Sequence, residues 1–147
     1  MTSPLVSVVL PMRDAAATVE RAMRSILDST LRELELIVID DGSGDGSAEV
    51  IRQIPDPRLR LIQQEALGVC AATNRGTAEA TAPVIARMDA DDYSHPARLE
   101  KQLSLLRDSG ADMVGCRVRI VDALGQPVES MQRYEQWSNS LTEPGRI

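Results

Sequence analysis

The sequence has few aromatic residues: one tryptophan, two tyrosines and no phenylalanine in 147 residues. Proteins that bind single-stranded nucleic acid stack its bases on aromatic side chains, so this class is a poor match. Positive charge is also scarce, because 16 lysines and arginines stand against 22 aspartates and glutamates and leave a formal net charge of −6. Such a surface repels phosphate backbones, and we expect no nucleic acid partner.

Long hydrophobic runs and cysteine pairs are missing as well. No apolar stretch approaches the roughly 18 residues of a membrane-spanning helix, and the first seven residues lack the basic and apolar regions of a signal peptide. The two cysteines, Cys70 and Cys116, are too few for a disulfide framework. We therefore expect a reduced chain with two packed thiols, located in the cytoplasm or peripherally at the inner face of a membrane.

Strand-like and helix-like segments alternate along a chain of single-domain size. The strand-like segments are residues 6–10, 34–39, 59–62, 83–88 and 113–121. Helical periodicity or helix-ending residues mark the segments around 19–27, 47–54, 68–80 and 96–109 between them. This order predicts one α/β domain over residues 1–147, with a Rossmann-like, mainly parallel sheet flanked by helices.

Polar and acidic residues follow three of the predicted strands. These groups are Pro11 to Asp14 after the first strand, Asp40 to Ser43 after the second, and Asp89 to Asp92 after a later one. Ligands bind beyond the carboxyl ends of the strands in such sheets, and right-handed crossovers bring these ends to one edge. Several carboxylates at one edge repel one another unless water or a divalent cation lies among them. This concentration predicts a ligand site.

Asp89 and Asp91 form a D-x-D pair, with Asp92 next in the chain. Alternate carboxylates leaving a strand can point the same way, and hard oxygen ligands suit Mg²⁺ or Mn²⁺ bound to a substrate phosphate. The alternative is an acidic loop that caps the following helix, because aspartate is favoured near helix N-termini. For Asp92 we expect the capping role, and for His95 a capping or surface role.

The Gly-rich loop after Asp41 allows several interpretations. Its glycines do not have the spacing of a dinucleotide-binding loop. Asp41, Ser43 and Asp45 match the first three side-chain ligands of a calcium-binding loop. The residue at the position of the bidentate glutamate, however, is Arg52. Asp41 could instead accept a ring N–H of a nucleotide base, and a plain turn remains the structural alternative.

Taken together, these segments resemble family 2 glycosyltransferases. The resemblance spans about residues 5–122 and depends on the order of five segments. They are Ser-Val-Val-Leu-Pro at 7–11, Ser-Ile-Leu at 25–27, Leu-Ile-Val-Ile-Asp-Asp-Gly-Ser at 36–43, the set Gly68, Ala72, Asn74 and Gly76, and Met-Asp-Ala-Asp-Asp at 88–92 followed by Pro96, Arg98 and Leu99. The resemblance implies a GT-A fold and transfer of a sugar from a nucleotide-diphospho-sugar, usually a UDP-sugar, with inversion and with Mn²⁺ or Mg²⁺ as cofactor.

The resemblance also implies roles for individual residues. Pro11 and Arg13 match the segment that lines the base pocket, although many members have an aromatic residue and an asparagine here. Asp41 matches the residue that hydrogen-bonds the base. Asp89 matches the first aspartate of D-x-D, near the ribose and the metal, and Asp91 matches the direct metal ligand beside the diphosphate.

The catalytic base and the acceptor stay unknown at this point. The family's base follows the D-x-D motif at some distance, and the sequence offers Glu129, Glu135 and Glu143 without a motif that selects one. We expect a domain truncated at its C-terminus that lacks most of the acceptor-binding part, binds nucleotide, transfers little sugar and self-associates. The acceptor could be a glycan, a lipid-linked molecule or a protein.

Other classes compete with this hypothesis. A noncatalytic, metal-dependent nucleotide-binding module is the main alternative. Phosphatases with a D-x-D motif carry it on the first strand, whereas here it begins at Asp89. A sugar nucleotidyltransferase would need a Gly-rich, basic phosphate loop after the first strand, and residues 11–14 do not form one.

Overall fold

The structure of the protein is a computed structural model, and it describes residues 3–141. Contacts divide the chain into two units, Met1–Lys101 and Gln102–Ile147, and each is described by itself. The assignment of a single domain to residues 1–147 stays a prediction.

Within the described residues, four strands and five α-helices form. The strands are β1 (Val6–Met12), β2 (Leu34–Asp41), β3 (Leu59–Gln64) and β4 (Val84–Arg87). The helices are α1 (Val19–Leu27), α2 (Ser47–Arg52), α3 (Val69–Ala78), α4 (Arg98–Ser109) and α5 (Gln132–Ser140), with a 3-10 turn (Glu129–Met131) before α5. The predicted alternation is confirmed as far as α4. None of the described helices has the length and hydropathy that crossing a membrane requires.

The first unit contains a parallel sheet with the strand order β3-β2-β1-β4. The connections from β1 to β2 and from β2 to β3 run towards one side of the sheet. The connection from β3 to β4 runs back to the other side of β1, so the direction of the crossovers reverses between β1 and β4. Right-handed crossovers therefore place α3 on the opposite face of the sheet from α1 and α2. The prediction of a mainly parallel α/β sheet is confirmed, and all four carboxyl ends lie at one edge.

The two central strands, β1 and β2, are buried along their whole length. Both are nearly continuous apolar runs because helices cover the two faces of the sheet. On the face that α3 covers, Ile37, Ile39 and Ala72 pack together out of contact with solvent. Gly76 of α3 approaches this face so closely that a Cβ atom there would lie 2.4 Å from Val9 Cγ1. The missing side chain at residue 76 thus sets the distance between α3 and the sheet.

A buried carboxylate connects the strands at the opposite, amino-terminal edge. Glu35 Oε1 accepts hydrogen bonds from Ser7 Oγ at 2.6 Å and from the Thr81 backbone N–H and Oγ1, both at 2.7 Å. Arg60 Nη1 lies 3.6 Å from Glu35 Oε2. Burial raises the pKa of Glu35, but the hydrogen bonds from Ser7 and Thr81 and the charge of Arg60 outweigh it and hold the pKa below its ordinary value. The ionised side chain therefore links β1, β2, β3 and the loop before β4.

In the second unit, the strand predicted at residues 113–121 does not form. Val118 donates its backbone N–H to Asn139 Oδ1 at 2.8 Å and accepts a hydrogen bond from Asn139 Nδ2 at 2.7 Å. The Ile120 N–H donates to Glu135 Oε2 at 2.7 Å. Side chains of α5 thus satisfy the backbone groups that a neighbouring strand would otherwise pair. Helix α5 itself buries no residue, which explains why its sequence lacks a strong apolar period.

Both cysteines are exposed, so the prediction of packed thiols is wrong. In α3 the buried positions are Ala72 and Gly76. Cys70 precedes Ala72 by two residues and therefore lies on the other side of the helix. Cys116 belongs to the extended segment that forms no strand, and it is not covered by a sheet partner there.

Candidate functional site

Polar loops follow three strands at the carboxyl-terminal edge of the sheet in the first unit. The loop after β1 begins with Arg13, β2 ends at Asp41, and Asp89 follows β4. Because β4, β1 and β2 are neighbours in the sheet, these residues lie along one part of this edge, beside the reversal of the crossovers. Open parallel sheets bind their ligands at this kind of position.

Asp41 is almost fully buried, with 3% of its surface exposed. Its Oδ1 accepts hydrogen bonds from the Leu67 backbone N–H at 2.9 Å and from Gln64 Nε2 at 2.7 Å. Its Oδ2 accepts the Gly68 backbone N–H at 2.8 Å. The Leu67 hydrogen bond holds the pKa of Asp41 below its ordinary value, with further contributions from Gln64, Gly68 and the charge of Arg13. The side chain is therefore ionised at neutral pH and can only accept hydrogen bonds.

A pocket of about 330 Å³ lies beside Asp41 on the face that α3 covers. This volume is within the range of small-molecule sites. The lining combines the end of β1 with the beginning of α3: Pro11, Met12, Arg13, Asp41, Gly68, Val69 and Ala72. Pro11 is buried and the Arg13 side chain is exposed. Three of the predicted site residues, Pro11, Arg13 and Asp41, therefore share one pocket.

A second pocket of about 410 Å³ lies along α1. Its lining includes the paired side chains of Glu20 and Arg24, the exposed ring of Tyr93, and Pro96. It contains none of the predicted site residues.

The loops after β1 and β2 are held together by hydrogen bonds from backbone N–H groups. Asp14 Oδ1 accepts the Gly44 N–H at 2.8 Å, and Asp45 Oδ2 accepts the Ala16 N–H at 2.9 Å. Asp45 Oδ1 accepts hydrogen bonds from the backbone and hydroxyl groups of Ser47. Asp45 and Asp41 therefore contact different segments, the first loop and the start of α3. This arrangement argues against the calcium-loop interpretation of the Asp41 region, because the two carboxylates bind different segments and no group of three possible metal ligands forms among residues 3–141.

Asp89 lies at the end of β4, where Arg87 Nη2 is 2.7 Å from its Oδ1. Both side chains are about half exposed, so solvent screens this pair. The Asp89 backbone carbonyl accepts the Asp92 N–H at 3.2 Å, which forms a turn directly after the strand. Asp89 thus has a defined place at the edge, and within residues 3–141 its Oδ2 has no hydrogen-bond partner.

Asp91 and Asp92 follow in the same turn and are exposed. Although Asp92 is exposed, partial desolvation of its carboxylate raises its pKa, and the negative charges of Asp89 and Asp91 raise it further. The three carboxylates are therefore close enough to repel one another. Carboxylate oxygens are the ligands that Mg²⁺ and Mn²⁺ prefer, so the chemistry of these side chains suits a divalent cation. In residues 3–141, however, no three acidic, histidine or cysteine side chains converge as a complete metal site.

The helix after the D-x-D turn is not capped by Asp92, so that expectation is wrong. Helix α4 begins at Arg98, six residues later. His95 has the capping role instead, since its Nδ1 accepts the Ala97 N–H at 3.1 Å and its carbonyl oxygen accepts the Arg98 N–H at 2.9 Å. The expectation of a capping or surface role for His95 is confirmed, since the exposed imidazole accepts the Ala97 N–H.

The glutamates considered as catalytic bases remain without an assigned role in catalysis. Glu135 accepts the Ile120 backbone N–H and Glu129 is exposed in the 3-10 turn. Glu143 lies outside the described residues.

Sequence comparison identifies the family. The family model of glycosyl transferase family 2 matches residues 7–146. Glycosyltransferase AglE of Haloferax volcanii is 30% identical over 143 residues, which cover 94% of this chain and 46% of that protein. Chondroitin synthase of Pasteurella multocida is 30% identical over 138 residues, which cover 92% of this chain and 14% of that protein. The chain spans between about a third and a half of the length of AglE and several other curated relatives.

Solved structures share the fold. Staphylococcus aureus TarS 1-349 in complex with UDP-GlcNAc superimposes with a TM-score of 0.69 and 20% identity, over 80% of this chain and 36% of that one. The mannosyltransferase PcManGT of Pyrobaculum calidifontis, in complex with GDP-Man and Mn²⁺, gives a TM-score of 0.66 and 26% identity, over 82% of this chain and 37% of that one. The predicted GT-A fold is confirmed, and the chain belongs to glycosyl transferase family 2.

Sequence reasoning missed the residues that contact Asp41 and Asp89. Gln64 is opposite Asp41 in the register of β2 and β3, so alignment of the carboxyl ends of the predicted strands could have found it. The N–H groups of Leu67 and Gly68 carry no sequence signal, because any residue except proline supplies one. Arg87 is an exposed position in the alternating burial pattern of β4, and nothing in the sequence distinguishes it from other exposed arginines.

Proposed function

We propose that this chain binds the nucleotide-diphospho-sugar donor, a UDP-sugar, of an inverting and metal-dependent glycosyltransferase. The observation that carries the proposal is the buried, ionised Asp41 beside a pocket of about 330 Å³, at the edge where Asp89 and Asp91 also lie. Membership of glycosyl transferase family 2 supports sugar transfer. The complexes of TarS with UDP-GlcNAc and of PcManGT with GDP-Man support a nucleotide-sugar donor.

In this proposal the base of the nucleotide occupies the pocket lined by Pro11, Arg13 and Asp41. Oδ2 of Asp41 accepts a ring N–H of the base, because it has one protein donor whereas Oδ1 has two. Pro11 supplies an apolar surface, and the exposed guanidinium of Arg13 supplies hydrogen-bond donors at the rim. The buried neighbours of Asp41 fix its carboxylate before the ligand arrives, which lowers the entropy lost on binding.

The diphosphate lies next to the D-x-D turn in this proposal, and Asp91 and Asp89 would hold Mn²⁺ or Mg²⁺ there. When bound, such a cation offsets the negative charge that develops on the departing nucleoside diphosphate. Two carboxylates are enough for a cation that takes its other ligands from phosphate oxygens and water. Asp92 adds negative charge to the same turn, and the repulsion among the three side chains favours a bound cation.

The acceptor hydroxyl also needs a base that removes its proton as it attacks the sugar. We do not assign this base to Glu129 or Glu135, whose contacts lie within the second unit. The acceptor, the linkage and the oligomeric state belong to the whole protein, which in the relatives is longer than this chain.

Calorimetric titration of UDP with and without Mn²⁺ tests the proposal. We expect Mn²⁺ to strengthen binding, and we expect the substitution Asp91→Asn to reduce the affinity in Mn²⁺ to the value measured with a chelator. Asp112→Asn is the matched control, since Asp112 is exposed and lies in the second unit, and it should keep the Mn²⁺ enhancement. Equal UDP affinity in Mn²⁺ and in chelator for the unmodified protein would contradict the metal-dependent part. A lack of UDP binding in both would contradict the whole proposal.

A further inference from the structure

The hydrogen bonds around Asp41 restrict which base this pocket can bind. We propose that Gln64 is a positioning residue that makes the site selective for uracil over guanine, because it occupies an acceptor position of Asp41. The inference rests on the nucleotide-binding function proposed above. It concerns the identity of the nucleotide base, in which the two similar solved structures differ: TarS contains UDP-GlcNAc and PcManGT contains GDP-Man.

A carboxylate has about four acceptor positions, two on each oxygen. Asp41 Oδ1 uses two of them for Gln64 Nε2 and the Leu67 N–H, and Oδ2 uses one for the Gly68 N–H. Among the contacts of residues 3–141, one position on Oδ2 is left for a ligand. The ionised state of Asp41, favoured by the same hydrogen bonds, means that the side chain has no proton to donate.

The pairing edges of the two bases differ in the number of adjacent donors. Uracil presents a single ring N–H between two carbonyl groups, which matches one acceptor position. Guanine presents a ring N–H next to an amino group, and this pair of donors matches a carboxylate with both oxygens available. At Asp41 the second guanine donor would be buried without a partner, and an unsatisfied buried donor weakens binding by roughly tenfold or more.

Gln64 is the one side chain among the three donors to Asp41, so it alone can be removed by substitution. It is the last residue of β3 and lies opposite Asp41 in the register of the sheet, and its Nε2 donates at 2.7 Å. The other two donors are backbone groups of the loop before α3 and are unchanged by substitution of Gln64. Loss of the Gln64 amide therefore frees one acceptor position on Oδ1 while the loop remains attached to Asp41.

The adjacent residue provides a matched control. Gln63 Nε2 donates to Asp40 Oδ2 at 3.0 Å, so it forms the same kind of amide–carboxylate contact. Alternation along β3 places this contact on the other face of the sheet from Gln64. Gln64 does not line the pocket itself but donates to Asp41, which does, whereas the Gln63 amide donates to Asp40, which does not line the pocket.

The test compares UDP and GDP affinities, measured by calorimetry in Mn²⁺, for the unmodified protein and for Gln64→Ala, Gln64→Met and Gln63→Ala. We expect the unmodified protein to bind UDP about tenfold or more tightly than GDP. Both Gln64 variants should reduce this ratio severalfold, chiefly through tighter GDP binding, and Gln63→Ala should leave it unchanged. A substitution that only loosened the fold would weaken both nucleotides and would not move the ratio.

Two results would overturn the inference and leave the donor site intact: equal binding of UDP and GDP by the unmodified protein, or an unchanged ratio in both Gln64 variants. If neither nucleotide binds the unmodified protein, the proposed function itself fails, and the selectivity fails with it. The experiment therefore distinguishes a failure of the proposed base selectivity from a failure of the proposed nucleotide-binding function.

Discussion

The close approach of α3 to the sheet predicts the effect of a single methyl group. In Gly76→Ala the new Cβ would lie 2.4 Å from Val9 Cγ1 and 3.2 Å from Ile39 Cγ1. Ordinary carbon–carbon contacts are about 3.5–4.0 Å, so α3 must move away from β1 by roughly 1 Å. Val9 cannot turn aside easily, because β-branched side chains have restricted χ1 rotamers and β1 is buried along its length.

The expected change in the free energy of unfolding is the difference between two effects. Overpacking of a core costs about 1–3 kcal/mol, and alanine in a helix interior is about 1 kcal/mol more favourable than glycine. Because the Cβ would lie only 2.4 Å from Val9 Cγ1, we place the overpacking cost in the upper part of its range, about 2–3 kcal/mol, and expect a net loss of roughly 1–2 kcal/mol. Nucleotide affinity should also fall, because the first turns of α3 contribute Val69 and Ala72 to the pocket beside Asp41.

Urea unfolding and UDP titration measure these two effects. Gly44→Ala is the control, since nothing lies within 4 Å of a Cβ at residue 44, and its unfolding free energy should change by less than about 0.5 kcal/mol. The double variant with Val9→Ala should lose less stability than the sum of the two single variants, because it removes the clashing methyl group. A Gly76→Ala protein as stable as the unmodified one, with full UDP affinity, would refute the reasoning.

Three further predictions concern Glu35, the thiols and the metal. The pKa of Glu35 is lower in the folded state than its ordinary value of 4.5. The ionised side chain therefore contributes its full stabilisation above pH 4.5, and this stabilisation is lost as the pH falls through the folded-state pKa. Glu35→Gln should flatten the acid side of the stability profile measured by urea unfolding. Cys70 and Cys116 are exposed, so both should react with a thiol reagent in the native protein, whereas slow reaction without denaturant would contradict the structure. Asp14 and Asp45 bind backbone N–H groups of neighbouring loops, so these loops need no cation, and a chelator should leave the thermal unfolding temperature of the nucleotide-free protein unchanged.

The strands and helices of the first unit could be predicted because burial leaves a clear pattern in the sequence. Strands β1 and β2 are covered on both faces and therefore contain continuous apolar runs. Proline and glycine mark several helix ends, and Gly110 has the positive φ of 65° expected of a residue after α4. The pattern fails in the second unit, where α5 buries nothing and the segment 113–121 is bound by side chains of that helix.

The candidate site was predictable only in part for a related reason. Asp41, Asp89 and Asp91 lie at or just after strand ends, and a parallel sheet brings the carboxyl ends of its strands to one edge whatever the register or the loop conformations. Their partners depend on the register of β3 and on a loop geometry that periodicity does not encode, so Gln64 and the N–H groups of residues 67 and 68 were missed. The packed thiols were predicted from the general burial of cysteine, which says nothing about the face of α3 on which Cys70 lies.

The contacts of the carboxylates explain how an acidic edge stays folded and still binds a ligand. Asp40 accepts the Ser43 N–H at 2.9 Å, and Asp45 accepts the Ala16 N–H at 2.9 Å. Such hydrogen bonds place N–H dipoles beside the negative charge, and the hydrogen bonds from Ser47 and Ala16 hold the pKa of Asp45 below its ordinary value. Asp41 keeps one acceptor position towards its pocket, and Asp91 is exposed in a turn where neighbouring carboxylates repel one another. The edge thus contains carboxylates that only hold loops, such as Asp45, and carboxylates that keep an acceptor position or an exposed charge for a ligand, such as Asp41 and Asp91. The second kind includes residues proposed to bind the base and the cation.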